Sequence, residues 1–119
     1  MKHTIIASMT LLLASLVPTG VAAENESFSG ASLKVICKSF QHIPASTSDG
    51  MCIGFVVGVL SVMNYINALC LPAKSTHAQA TLVVQKYLSD NPEKLHLDAE
   101  QLVIDALQDA FPCTGEVLE

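Results

Sequence analysis

Beyond residue 30 the apolar positions recur with a helical period. Leu33, Ile36, Cys37 and Phe40 fall at i, i+3, i+4 and i+7, one face of a helix opening near Ala31, while Lys34 and Lys38 lie off that stripe. Ile43-Pro44 ends it, and Ala45 to Gly50 (Ala-Ser-Thr-Ser-Asp-Gly) has the composition of a loop. Met51 to Leu69 predicts a second helix, and no charge occurs between Asp49 and Lys74. A membrane span is one reading of that run. Asn64 and Asn67, costly in lipid, and cysteines at both ends favour a central helix buried on most sides. Gly54 and Gly58, four apart, share a face and form a notch where another backbone can approach.

Cys70-Leu71-Pro72 closes this segment. Thr76 followed by Gln79 has the form of a capping box, so a third helix starts there. Its apolar stripe is Ala80, Val83, Val84, Tyr87 and Leu88, broken by Asp90-Asn91-Pro92, where Pro92 opens a short new turn. The last helix runs from Asp98 to Phe111. Leu102, Val103, Ala106, Leu107, Ala110 and Phe111 face inward, and acids sit in its first turn, where the helix dipole favours them. Pro112 stops it. The pattern predicts an all-α fold, a small bundle of about four helices with no strand.

The N-terminus reads differently. Lys2 and His3 precede an apolar run from Ile5 to Val17, which Pro18 and Gly20 break before Val21-Ala22-Ala23. This is the anatomy of a secretory signal peptide, residues 1–23, cleaved ahead of Glu24. A retained anchor is the rival reading, and the run is short for a span. Residues 24–119 are then one exported domain of 96 residues, with no linker to divide it. The short n-region and the size fit the bacterial periplasm.

All four cysteines, Cys37, Cys52, Cys70 and Cys113, belong to the exported part. An even number in a small exported domain implies disulfides. In an up-down bundle Cys37 and Cys52 lie at one end, and Cys70 and Cys113 meet at the other. The expected bridges are therefore Cys37–Cys52 and Cys70–Cys113.

Composition narrows the chemistry. The 119 residues are 50% apolar, too apolar for disorder, and carry 6 Lys, no Arg and 11 acids. A formal charge of −5 argues against a nucleic-acid partner. His42, His77 and His96 are scattered, and no nucleophile elbow, phosphate loop, zinc spacing or redox Cys pair is present. The sequence therefore predicts no catalytic residue, no metal and no cofactor. Charge is instead concentrated: from Asp90 to Glu119 eight acids face one base, Lys94. Asp98, Asp105 and Asp109 share the outer side of the last helix, either as a solvated face or as a patch for a basic partner.

Four pieces in order carry a family resemblance: Cys52-Ile53-Gly54-Phe55-Val56-Val57-Gly58-Val59; Cys70-Leu71-Pro72; the run from Val84 to Glu93; and Ala106-Leu107 with Ala110-Phe111-Pro112-Cys113. Together, from about Gly30 to Cys113, they resemble the Rap/Tai immunity-protein family. Relatives often carry Tyr and an acid where this chain has Phe55 and Ser61. The resemblance implies a small helical periplasmic protein that binds and blocks a peptidoglycan-cleaving amidase delivered by type VI secretion. Family members are often dimers, so the resemblance adds a homodimer as an expectation; with the leader cleaved, the mature form is expected to contact no membrane. Two surfaces are candidates for the toxin: the polar segment Ser46-Thr47-Ser48-Asp49, taken as a protruding loop, and the acids Asp98, Asp105 and Asp109. Two alternatives stay open. One is a periplasmic acid-stress chaperone of the HdeA type; the other is a small helical assembly subunit using the Gly54/Gly58 notch.

Overall fold

Ser29 starts the first helix. Its hydroxyl accepts from the Ser32 amide at 3.3 Å, filling one of the orphan donors of a helix start. In the computed structural model, which describes Gly20 and residues 27–113, helix α1 spans Gly30–Cys37, α2 Thr47–Tyr65, α3 His77–Asp90 and α4 Ala99–Ala110. A single 3-10 turn, Pro92–Lys94, links α3 to α4. Among the described residues there is no strand, only an isolated bridge between Ser29 and Asp98. The fold is the all-α bundle that the periodicity predicts. The signal-peptide reading, together with Glu116 and Glu119, falls on residues outside those described, Gly20 excepted.

The core is one stripe from each helix: Leu33 of α1, Val56 of α2, Val84 of α3, and Leu102, Val103 and Leu107 of α4 are fully buried. The structure joins Cys37 to Cys52 and Cys70 to Cys113. The bridges close separations of 15 and 43 residues. In the chain-entropy account these are worth about 3 and 4 kcal/mol. For so small a core they are a large share of total stability.

The helix limits depart from the sequence expectation at three places. Helix α1 stops at Cys37. Phe40 is still buried, but it is carried by a turn in which its amide donates to the Cys37 carbonyl at 3.2 Å. Helix α2 begins at Thr47, not Met51: Ser46 caps it by accepting from the Asp49 amide at 3.1 Å, so the expected loop is the cap and first turn of a helix. At its far end α2 stops at Tyr65, where Asn67 takes φ 56°. The Ala68 amide then reaches the Met63 carbonyl (2.8 Å) and the Asn67 amide that of Asn64 (3.2 Å), a Schellman closure with Asn in the left-handed position. Helix α3 opens with the expected capping box, Thr76 and Gln79 exchanging bonds of 3.0 and 3.1 Å.

Nor is α2 buried on most sides. Cys52, Val56, Leu60 and Met63 pack inward, while Gly54 and Gly58 face open space with no atom near their missing side chains. Met51, Val62 and Tyr65 are exposed, Tyr65 by 86%. The helix is long and apolar enough to cross a membrane by length and composition, and it packs in this fold against α1, α3 and α4.

The stitch between the two N-terminal ends fixes the register of α1 on α4. The Gly30 amide donates to the Leu97 carbonyl (2.8 Å), Ala31 to Leu95 (2.9 Å) and Ala99 to Phe28 (2.7 Å). This close approach requires Gly30: a side-chain carbon there would lie 2.2 Å from Leu102 Cδ1 and 3.3 Å from the Leu95 backbone. Leu102 is completely buried and has nowhere to swing. Gly30→Ala is therefore expected to cost about 1–3 kcal/mol by overpacking. The check is a urea melt with both disulfides intact; an unchanged midpoint would contradict the close approach.

Candidate partner-binding surface

At the junction of α1 and α2 the chain builds a polar clamp. Asp49, third residue of α2, is 2% exposed, yet both carboxylate oxygens are occupied. Ser39 Oγ donates to Oδ1 at 2.6 Å and the Ala45 amide to Oδ2 at 3.1 Å. The Ser39 bond, reinforced by the Ala45 and Ser46 amides and opposed by burial, holds the Asp49 carboxyl below its usual range. Asp49 thus ties the 38–46 connection to the start of α2 and, being buried, is not presented to a partner. Ser46, Thr47 and Ser48 are exposed beside it, as a cap and a helix turn and not as a protruding loop.

The α4 acids are placed differently. Asp98 is the exposed N-cap residue beside Ser29, without a side-chain capping bond. Asp105, half-buried, accepts from Gln101 Nε2 at 2.9 Å. Asp109 is exposed and lines a concavity of about 280 Å³ with Lys86, Tyr87 and Asp90 of α3. Lys94 lies near this acidic side. Its ammonium donates to the Tyr87 hydroxyl at 3.1 Å and sits 5.5 Å from the ring centroid. The Tyr87 hydroxyl chiefly, with Glu93 and Asp105 adding to it, raises the Lys94 pKa. No hydrogen bond or ion pair joins the Ser46–Ser48 segment to the α4 acids.

Two further surfaces emerge in full only from the structure. One is the uncovered side of α2, where Met51, Gly54, Gly58, Val62 and Tyr65 form an apolar strip. The sequence reading of a Gly54/Gly58 notch touched part of it. The other is a cleft of about 420 Å³ between α1 and α3, lined by Lys34, Lys38 and Lys86. A third concavity, about 590 Å³, lies between the α2–α3 connection and Phe111. Among the described residues no group of three or more His, Cys, Asp or Glu side chains is arranged to hold a metal ion.

What this surface set belongs to is decided by comparison with known families. The model of the Rap1a immunity proteins matches residues 29–113, the whole bundle from the cap of α1 to the last cysteine. The chain belongs to the Rap1a immunity protein family. No curated protein and no solved structure matches it. Membership makes it an immunity protein of the kind that binds a cognate effector toxin, and the family is not generally catalytic. The two disulfides and the family are consistent with a place outside the cytoplasm.

The Asp49 clamp has a definite pH signature. Its carboxyl is lowered from the ordinary 3.8 in the folded state, so its stabilisation is present above that pH and is lost as pH falls through the lower folded value. Asp49→Asn is expected to unfold at lower urea than the parent near neutral pH, with the gap closing below pH 3.8. Urea midpoints taken from pH 6 to pH 2 test this; a gap that stays constant would remove Asp49 as the titrating group.

Proposed function

We propose that the chain is a periplasmic immunity protein that binds and blocks a peptidoglycan amidase effector of type VI secretion. The family match over residues 29–113 carries the reading. The leader-like N-terminus and the paired cysteines support export. In this reading the protein acts by occupying the toxin's groove, so it needs a rigid surface and no chemistry of its own.

The acidic side of α4 is the contact assigned to the toxin. Asp98 and Asp109 are exposed and Asp105 is partly so, on a chain of net charge −5. A hydrolase acting on an anionic wall polymer benefits from a basic cleft, and an acidic inhibitor competes for it with electrostatically steered association. Ser46, Thr47 and Ser48 are a second contact in this proposal. Asp49 supports them from beneath.

The uncovered strip of α2 fits a second copy of the chain. The helix carries no charge after Asp49, so self-pairing brings no like charges together. Gly54 and Gly58 allow two backbones to approach closely.

Three experiments test these assignments. Co-expression in the periplasm with a secreted amidase from a neighbouring reading frame should restore survival. Asp105→Lys/Asp109→Lys should weaken the purified complex about tenfold or more, and the parent complex should loosen with salt. An amidase that stays unbound and lethal overturns the immunity reading, and unchanged affinity removes the α4 patch. For the α2 strip, Gly54→Glu/Gly58→Glu places charges on the exposed face of a helix that prefers Glu to Gly. Light scattering should give twice the protomer mass for the parent and one protomer mass for the variant; a monomeric parent refutes self-pairing.

A further inference from the structure

The α1–α3 cleft is a basic concavity on an acidic protein. Of the five lysines in the described residues, three line it: Lys34 from α1, Lys38 from its C-cap and Lys86 from α3. Val35, 73% exposed, adds an apolar contact, and Ser89 a hydroxyl. No acid lines it; Asp90, just outside the lining, is paired with Lys86, the only ion pair among the described residues. Lys34 and Lys38 are one helical turn apart, so their like charges repel with no internal acid between them.

The ordinary duty of lysines near a helix C-terminus is to satisfy the last carbonyls. Here another side chain does that. Gln85 of α3 donates its amide to the Cys37 carbonyl at 2.7 Å and to the Phe40 carbonyl at 3.0 Å. The same Gln85 lines the cleft, and the buried Cys37–Cys52 bridge fixes the helix end beside it. The cleft floor is therefore rigid, and the ammonium groups of Lys34 and Lys38 are left for something else.

We propose that this cleft docks an acidic peptide segment, one carrying two or three carboxylates about an apolar side chain. Its volume, about 420 Å³, accommodates a few side chains. The lysines surround a concavity, which a flat membrane surface cannot enter. A nucleic-acid backbone would bring its phosphates close to an overall acidic molecule. With acids on α4 and bases between α1 and α3, a partner complementary to both binds in one orientation. The inference goes beyond the immunity reading, because the cleft can be tested with no toxin present.

The test is a titration of the ¹⁵N-labelled folded protein with the acetylated hexapeptide Glu-Leu-Glu-Glu-Leu-Glu, followed by amide shifts. Saturable shifts are expected at Lys34, Val35, Lys38, Gln85, Lys86 and Ser89. The Gln-Leu-Gln-Gln-Leu-Gln peptide should give none. Lys34→Gln/Lys38→Gln should weaken binding about tenfold, whereas Lys74→Gln/Lys94→Gln, removing the same charge elsewhere, should change it less than about twofold. Equal weakening by the two variants would overturn the proposal, since the response would then follow net charge alone. It also fails if the shifts scatter outside the cleft, or if inorganic phosphate or phosphatidylglycerol vesicles elicit the same cleft shifts as the peptide.

Discussion

Helix α2 is held at both ends by covalent bonds, and the rest of the molecule depends on that. Cys52, near its start, is joined to the end of α1, and Cys70, just past its end, to the segment after α4. Between these anchors α2 offers the core only a narrow inner stripe. Such a helix has little in its own sequence to select which side goes inward, because nearly every residue is apolar or small. The bridges supply the selection. With Cys52 fixed against Cys37, the inward positions Val56, Leu60 and Met63 follow at helical spacing.

The polar contacts near the first bridge complete the same junction. Asp49 draws in Ser39 and the Ala45 amide, Ser46 caps the helix, and Gln85 reaches across from α3 to close the end of α1. These groups sit beside fully buried cysteines, where an unpartnered polar atom is expensive. Among the described residues no buried side-chain nitrogen or oxygen lacks a partner. At the other end of the sequence pattern, the stitch at Gly30 sets where α1 lies on α4. The bundle is thus positioned by a few local devices at helix ends as much as by its apolar interior.

The four helices were legible because α1, α3 and α4 each carry a clear apolar stripe, and α3 a recognisable start in the Thr76–Gln79 box. The start of α2 was hidden because Ser-Thr-Ser-Asp has the composition of a connector and of a helix cap alike. Only the bond from the Asp49 amide to Ser46 separates the two. Its end was hidden because Asn67 takes the left-handed position that Gly more often fills. Spacing placed Asp98, Asp105 and Asp109 along the last helix but did not reveal that Asp98 is its N-cap and Asp105 half-buried. The basic cleft was not legible, since Lys34 and Lys86 are far apart in sequence and meet only through the packing of α1 on α3. The bare side of α2 was misread for a physical reason: uniform hydrophobicity announces burial without saying by what.

The bridges also have an order. Each joins a cysteine to the next one along the chain, first with second and third with fourth, and neither ring encloses the other. A polypeptide oxidised as it emerges, N-terminus first, therefore closes its native links in the sequence of appearance. The first ring can be sealed before the third cysteine has been made, and no swap between early and late thiols is needed to reach the finished topology.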